Sequence, residues 1–401
     1  MTPERRLTAA LSAALILNMT GFLAPAAVLP QILDTWHLGE AAGGWLTGAV
    51  FGGYALSAPV LSSLTDRVDP RRVVLVALAV GAAAGFGMAL VAEGFWSAMV
   101  FRLMAGFGLA GIYMPGLKIL ADQLEGEARQ SATAFFPSMF ALGSAGGFLL
   151  AALLQGWAPW PWLFVASGVG SALAFLSVLL FVAPSRPVAV AGAGGLGTVL
   201  RTPGVVVYTA ASLGHSVEIM GMRGWLVAAL FFSASLPANA AYAQWNMPLL
   251  VMLTSLLSPL ASFWAARRAG GERRRRLVMA IAAASTVMAL SLVLAVQGPF
   301  LLFYALMVVW GVTSFADTAT LAGGIVEYAP APVRGTALAL YAFVGFAGGM
   351  CGPFLVGLVI ERMGGRTEPA AWTAGLAVAA AGAILPVLVL GLAGRGLAPR
   401  R

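Results

Sequence analysis

The chain has 401 residues, of which 60% are hydrophobic and only 9% charged, and its mean hydropathy is +0.91. A soluble domain carries roughly 25% charged residues, so this composition excludes an ordinary soluble enzyme or binding module and indicates an integral membrane protein. The net charge of +8 argues for no nucleic-acid partner, because the basic residues sit in short loops between apolar runs, where they set topology and meet the lipid bilayer; the single cysteine, Cys351, excludes an intrachain disulfide.

Apolar runs of about 20 residues recur along the whole length. They predict twelve spans, near 7–33, 42–64, 73–92, 95–120, 131–154, 160–182, 205–232, 244–266, 277–297, 299–325, 335–360 and 370–394. Arg5 and Arg6 precede the first run and no small-residue cleavage site follows, so it reads as an uncleaved span. Gly44, Gly48 and Gly52 share one face of the second span, which suits close helix approach. Residues 183–204, rich in proline and glycine, separate two sets of six spans. The expected domains are therefore an N-terminal bundle, 1–182, a cytoplasmic linker, 183–204, and a C-terminal bundle, 205–401. The linker contains a formal GxGxxG at 192–197, but a dinucleotide site needs a preceding strand in a βαβ unit, and here the flanks are membrane spans.

With the N-terminus inside, the basic residues fall on the cytoplasmic side or at its edge, including Arg186, Arg201, Arg395, Arg400 and Arg401. The exceptions are Arg362 and Arg366 outside, and Arg102 and Arg223 within spans. This bias places both termini in the cytoplasm. The halves are also related: a shift of 205 residues superposes Gly106 on Gly311, Asp122 on Glu327, Arg129 on Arg334, and Gly147 on Gly352. Two parallel six-span repeats with a site between them near the midplane are an architecture of secondary transporters.

Four charges lie at membrane depth: Arg102, Glu218, Arg223 and Asp317. Each costs about 3 kcal/mol or more at the bilayer centre, so such groups usually mark a substrate or proton path. His215 and Glu218 share a face of span 7, whereas Arg223 lies about 140° round from Glu218 on an ideal helix. No HExxH or paired metal-ligand spacing occurs and there are only two histidines, His37 and His215, so neither an enzyme nor a metal or cofactor is expected.

The loop Ser62-Ser63-Leu64-Thr65-Asp66-Arg67-Val68-Asp69-Pro70-Arg71-Arg72 is similar to the loop signature of the major facilitator superfamily, with Ser62 and Asp69 in place of its glycines. Arg102 followed by Gly106 and Gly108 resembles the superfamily's fourth-helix signature. Gly214-His215 through Glu218, Met222, Arg223 and Trp225 looks like the seventh helix of bacterial cyanate-permease and nitrate/nitrite-like facilitators. The resemblance covers essentially the whole chain. It implies an all-α fold of twelve transmembrane helices in two pseudo-symmetric six-helix bundles, monomeric, in a bacterial inner membrane. It also implies a cavity lined by spans 1, 4, 7 and 10, and hence a substrate site drawn from Asn18, Arg102, Tyr113, His215 and Arg223. Glu218 and Asp317 would couple protons. The cytoplasmic gate would use Asp66, Arg67, Arg71, Asp122, Arg129 and Arg334, with Asp66 meeting the start of span 11 and Arg67 or Arg71 meeting Asp122.

The expected function is secondary active transport of a small anionic solute, proton-coupled, by alternating access. Arg102 and Arg223 would grip the anion from opposite sides and be neutralised by Glu218 and Asp317 when empty. The alternatives are proton-driven efflux of a drug or metabolite, or a transporter-like sensor that binds without moving solute. Plain readings compete at single residues: Arg102 as a structural hydrogen-bonder between helices, Arg223 as a permanent partner of Asp317 or Glu218, His215 as a backbone cap, and Tyr113, Trp225, Trp310 and Tyr341 as packing.

Overall fold

The computed structural model describes residues 2–185 and 195–393, so Arg186, part of the glycine motif at 192–197, Arg395, Arg400 and Arg401 lie outside the described residues. Every regular element among the described residues is helical. The first half of the chain forms α1 (Pro3–Met19), α2 (Ala24–Ala27), α3 (Leu29–Trp36), α4 (Glu40–Leu64), α5 (Pro70–Leu90), α6 (Phe95–Gln123), α7 (Gly126–Leu154) and α8 (Pro161–Phe181). The second half forms α9 (Leu196–Leu200), α10 (Pro203–Ser235), α11 (Met247–Ala266), α12 (Gly271–Ala295), α13 (Phe300–Phe315), α14 (Thr318–Tyr328), α15 (Arg334–Arg362) and α16 (Pro369–Leu392). Proline opens α1, α5, α8, α10 and α16, where its missing N–H is no loss and its fixed φ already suits a helix. Among the described residues, ten stretches are long and apolar enough to cross a membrane; Phe300–Tyr328 counts as one. The other two expected spans fall on α1–α3 and on the glycine-rich α4.

Two compact units form. One comprises Met1–His37, Ala49–Val190 and Pro248–Met252, the other Leu38–Gly48, Ala191–Met247 and Leu253–Arg401. In the first, α5 packs on α6 and α8, and α1 on α7 and α8. In the second, α10 packs on α15 and α16, and α12 on α16. α10 is buried over most of its length and forms the axis of its unit.

Residues matched by the 205-residue shift do equivalent jobs. A Cβ on Gly106 would strike the Val50 carbonyl of α4, and one on Gly311 would strike Thr254 of α11. A Cβ on Gly147 would strike the Thr20 carbonyl after α1, and one on Gly352 the Val217 carbonyl of α10. Close backbone approach therefore requires glycine at Gly106, Gly147 and Gly352, while at Gly311 the space is taken by the Thr254 methyl group. Gly44 and Gly48 press in the same way on the carbonyls of Pro353 and Met350 in α15.

Two spans read as continuous are broken. Span 1 stops at Met19 and resumes as α2 and α3; span 10 stops at Phe315 and resumes at Thr318. Span 7, by contrast, is one unbroken helix in which glycines serve packing: Gly221 faces Ala379 and Gly352, and Gly224 faces Pro353 and Thr47.

Replacing Gly106 or Gly311 with leucine should lower stability by about 1–3 kcal/mol through overpacking, read as an earlier thermal transition of the detergent-solubilised protein. Gly335→Ala, where nothing lies within 4 Å of an added Cβ, should leave the transition unchanged.

Candidate functional site

The first helix break explains where Arg102 points. α1 ends near Thr20, leaving carbonyls that no helical amide reaches, and water is scarce at this depth. Arg102, on α6 and only 2% exposed, donates from Nη1 to the Gly21 carbonyl at 2.8 Å and from Nη2 to the Phe22 carbonyl at 2.7 Å. A guanidinium at a helix C-terminal end also complements its dipole. The same residue lines a small pocket with Asn18, Gly21, Ser167 and Ser171. Asn18 is buried and accepts a 3.1 Å hydrogen bond from Ser171. Tyr113 packs against Phe136 and Phe140, with ring centroids at 6.2 and 5.7 Å.

The second break carries the remaining deep charges. Asp317 sits in the gap between α13 and α14, and its Oδ1 lies 2.9 Å from Nδ1 of His215 on α10. The other ring nitrogen, Nε2, is 3.2 Å from the Thr318 hydroxyl. That hydroxyl can donate to a neutral ring or accept from a protonated one, so His215 can gain a proton without moving. One turn along α10, Glu218 Oε1 accepts from the Ser285 hydroxyl of α12 and, at 2.9 Å, from the Trp310 indole of α13. His215, Glu218 and Asp317 are 6%, 2% and 2% exposed.

Arg223 differs from all of these. It is 5% exposed, its Nη2 donates to the Ser255 hydroxyl at 3.0 Å, and its guanidinium carbon lies 5.1 Å from the Phe315 ring centre at the break. Nε has no hydrogen-bond partner. Among the described residues no carboxylate pairs with it. The expected neutralisation of Arg223 by Glu218 or Asp317 is therefore absent: Asp317 has gone to His215, and Glu218 points round the helix toward Ser285 and Trp310, in line with its angular separation from Arg223. The expected two-arginine grip is also reduced, since both terminal nitrogens of Arg102 are committed to the break in span 1.

At the loop between α4 and α5, Asp66 and Asp122 both face Lys118, at 3.9 and 3.2 Å. Arg71 donates to the Leu179 carbonyl at 2.7 Å rather than meeting Asp122. Asp69, standing where the signature has glycine, caps α5 through the Arg71 amide at 3.0 Å and takes the Ser185 amide at 3.2 Å. Arg67, Arg129 and Arg334 are exposed. Of the aromatic candidates, Trp225 donates to the Pro353 carbonyl at 2.9 Å and Tyr341 packs on a core cluster around Tyr208 and Tyr328. Sequence reasoning missed Ser285, Ser255 and Thr318 as partners of the deep charges; their only signal was a hydroxyl inside an apolar span.

Ten stretches long and apolar enough to cross a membrane, in an all-helical chain, define a polytopic membrane protein. The sequence matches the Major Facilitator Superfamily over residues 10–238, and the chain belongs to that superfamily of membrane transport proteins. Protein spinster homolog 3 of Danio rerio is 25% identical over 182 residues, which is 45% of this chain and 36% of that protein. A probable 4-methylmuconolactone transporter of Cupriavidus pinatubonensis is 29% identical over 136 residues, 33% of this chain and 31% of that protein. The chain thus spans about a third of the length of the curated relatives it matches. A crystal structure of a bacterial homolog to the human lysosomal transporter Spinster, inward-facing and occupied, superposes with a TM-score of 0.78 at 16% identity, covering 99% of this chain and 98% of that one. The fold is the major facilitator fold.

Arg102→Met should destabilise the protein by about 3 kcal/mol, because it strands two buried carbonyls. Arg223→Met, which removes an uncompensated buried cation, should leave stability equal or raise it. Thermal unfolding of the two purified variants in one detergent distinguishes these outcomes.

Proposed function

We propose that the protein is a secondary active transporter that moves a small anionic solute, a carboxylate or small inorganic oxyanion, by alternating access coupled to protons. The observation that carries this reading is Arg223, a buried guanidinium without a carboxylate partner among the described residues. A protein retains a charge of this kind at a cost, and a bound anion offsets it. Arginine suits the task because its planar fork donates paired hydrogen bonds to an oxyanion.

Proton coupling falls to the neighbouring cluster. His215 and Glu218 lie one turn apart on α10, the helix that also carries Arg223, and Asp317 holds His215 from the break in span 10. A proton gained by Glu218 or His215 changes the field at Arg223 and so its attraction for an anion. Arg102 serves in this reading as a brace for span 1, with Asn18 and Tyr113 in supporting positions. The likeness of span 7 to cyanate-permease and nitrate/nitrite-like facilitators, and the name of the 4-methylmuconolactone relative, both accord with a small polar cargo. The protein would work as a monomer in a bacterial inner membrane, with both termini cytoplasmic, as the distribution of basic residues suggests.

In proteoliposomes, Arg223→Gln should cut uptake of a transported anion by about 30-fold, the equivalent of one charge-assisted hydrogen bond. Glu218→Gln should keep exchange of solute across the membrane but lose accumulation driven by a pH gradient. Full uptake by Arg223→Gln, or transport of an amphiphilic cation that depends on Glu218 and not on Arg223, contradicts the anion reading.

A further inference from the structure

We propose that the loop joining α11 and α12 is a binding site for an anionic glycerophospholipid, with its phosphate among Arg267, Arg268, Arg273 and Arg276. The inference is independent of the transported solute. The run of four arginines at 273–276 is not a uniform basic patch, because helical phase sorts it into two sets. Arg274 turns inward, pairing through Nε with Glu327 at 2.8 Å and reaching the Thr320 carbonyl at 3.3 Å. Arg275 donates to the Leu390 carbonyl at 3.2 Å. These two fasten α12 to α14 and α16. Arg273 and Arg276 are exposed, as are Arg267 and Arg268 across the turn. Among the described residues, none of the four outward arginines has a carboxylate partner.

What lies beneath them identifies the ligand. On α11 the exposed residues Leu253, Leu256, Leu257, Leu260, Phe263 and Trp264 recur at the spacing of one helical face. The next turn of that face brings Arg267 and Arg268. On α12 the exposed Leu294, Leu290 and Val287 continue through Ala283 and Ala280 to Arg276 and Arg273 at the same spacing. Both exposed apolar stripes, on helices long enough to span a bilayer, therefore end in a pair of exposed guanidiniums at the same turn, of which Arg268 donates from Nη1 to the Trp264 carbonyl at 3.4 Å. The Arg268 guanidinium lies 4.2 Å from the centre of the half-exposed Trp264 ring. A tryptophan and a stacked arginine are side chains suited to the boundary between acyl chains and head groups. A soluble phosphate would match the arginines but make no use of the stripes; an anionic lipid matches both.

The test is native mass spectrometry of the purified full-length chain, equilibrated with equimolar phosphatidylglycerol and phosphatidylcholine. The expected result is retention of phosphatidylglycerol over phosphatidylcholine by at least about 10-fold. That preference should vanish in the variant carrying R267Q, R268Q, R273Q and R276Q, and should persist in excess inorganic phosphate. If the fourfold variant does not fold, R268Q with R276Q should reduce the preference several-fold. Equal retention of the two lipids, an unchanged preference in the folded variants, or displacement of the lipid by inorganic phosphate would overturn the proposal.

Discussion

A backbone carbonyl or a charge placed in hydrocarbon must be answered by the protein itself, since no water is there to do it. Two interrupted helices in this molecule meet that demand with ionisable side chains. The gap after α1 is closed by the Arg102 guanidinium on the Gly21 and Phe22 carbonyls. The gap between α13 and α14 is occupied by Asp317, which binds His215, with Thr318 on the far side of the ring. The deep charges and the irregular backbone are thus one feature. Each makes the other tolerable, and the surrounding glycine contacts hold the helices close enough for these bonds to form.

Within that scheme most charges are spoken for. Arg102 has carbonyls, His215 has Asp317, and Glu218 has a serine and an indole. Arg223 stands apart, with one serine hydroxyl and a ring face and with Nε unmatched. The other deep charges each have a charged or hydrogen-bonding neighbour, although Asp317 Oδ1, 2.9 Å from His215, makes no hydrogen bond of its own, and the proposal of an anionic cargo rests on Arg223 having no counter-charge among the described residues. The proposed coupling to protons rests on His215 and Glu218, which lie on the same helix as Arg223.

Much of this was legible in the sequence. Apolar run lengths anticipated the ten stretches long and apolar enough to cross a membrane, because a span must be long and apolar whatever its neighbours are; the first two expected spans fall on α1–α3 and α4, outside those ten. The glycine pairs of the 205-residue repeat, Gly106 with Gly311 and Gly147 with Gly352, all fall at tight helix contacts, against backbone at three positions and against the Thr254 side chain at Gly311. Which residues lie at depth was also readable. Their partners were not: a carbonyl freed at Gly21 has no signature in composition, and the choice of Asp317 for His215 rather than for Arg223 depends on where span 10 breaks. The break in span 10 was hidden because Ala316-Asp317 interrupts an apolar run without proline at the gap, whereas the break in span 1 left a signal in Pro25 and Pro30, which open α2 and α3.

The most direct measurement of the central claim is the thermal shift of the purified protein with small carboxylates and oxyanions, each set against its neutral isostere, in the unaltered chain and in Arg223→Gln. A bound ligand raises the unfolding temperature in proportion to its affinity for the folded state. The account predicts that anions stabilise the unaltered protein, their neutral counterparts do not, and the effect disappears when the guanidinium is removed. Equal stabilisation by anion and neutral isostere, or a shift that survives in Arg223→Gln, would contradict it.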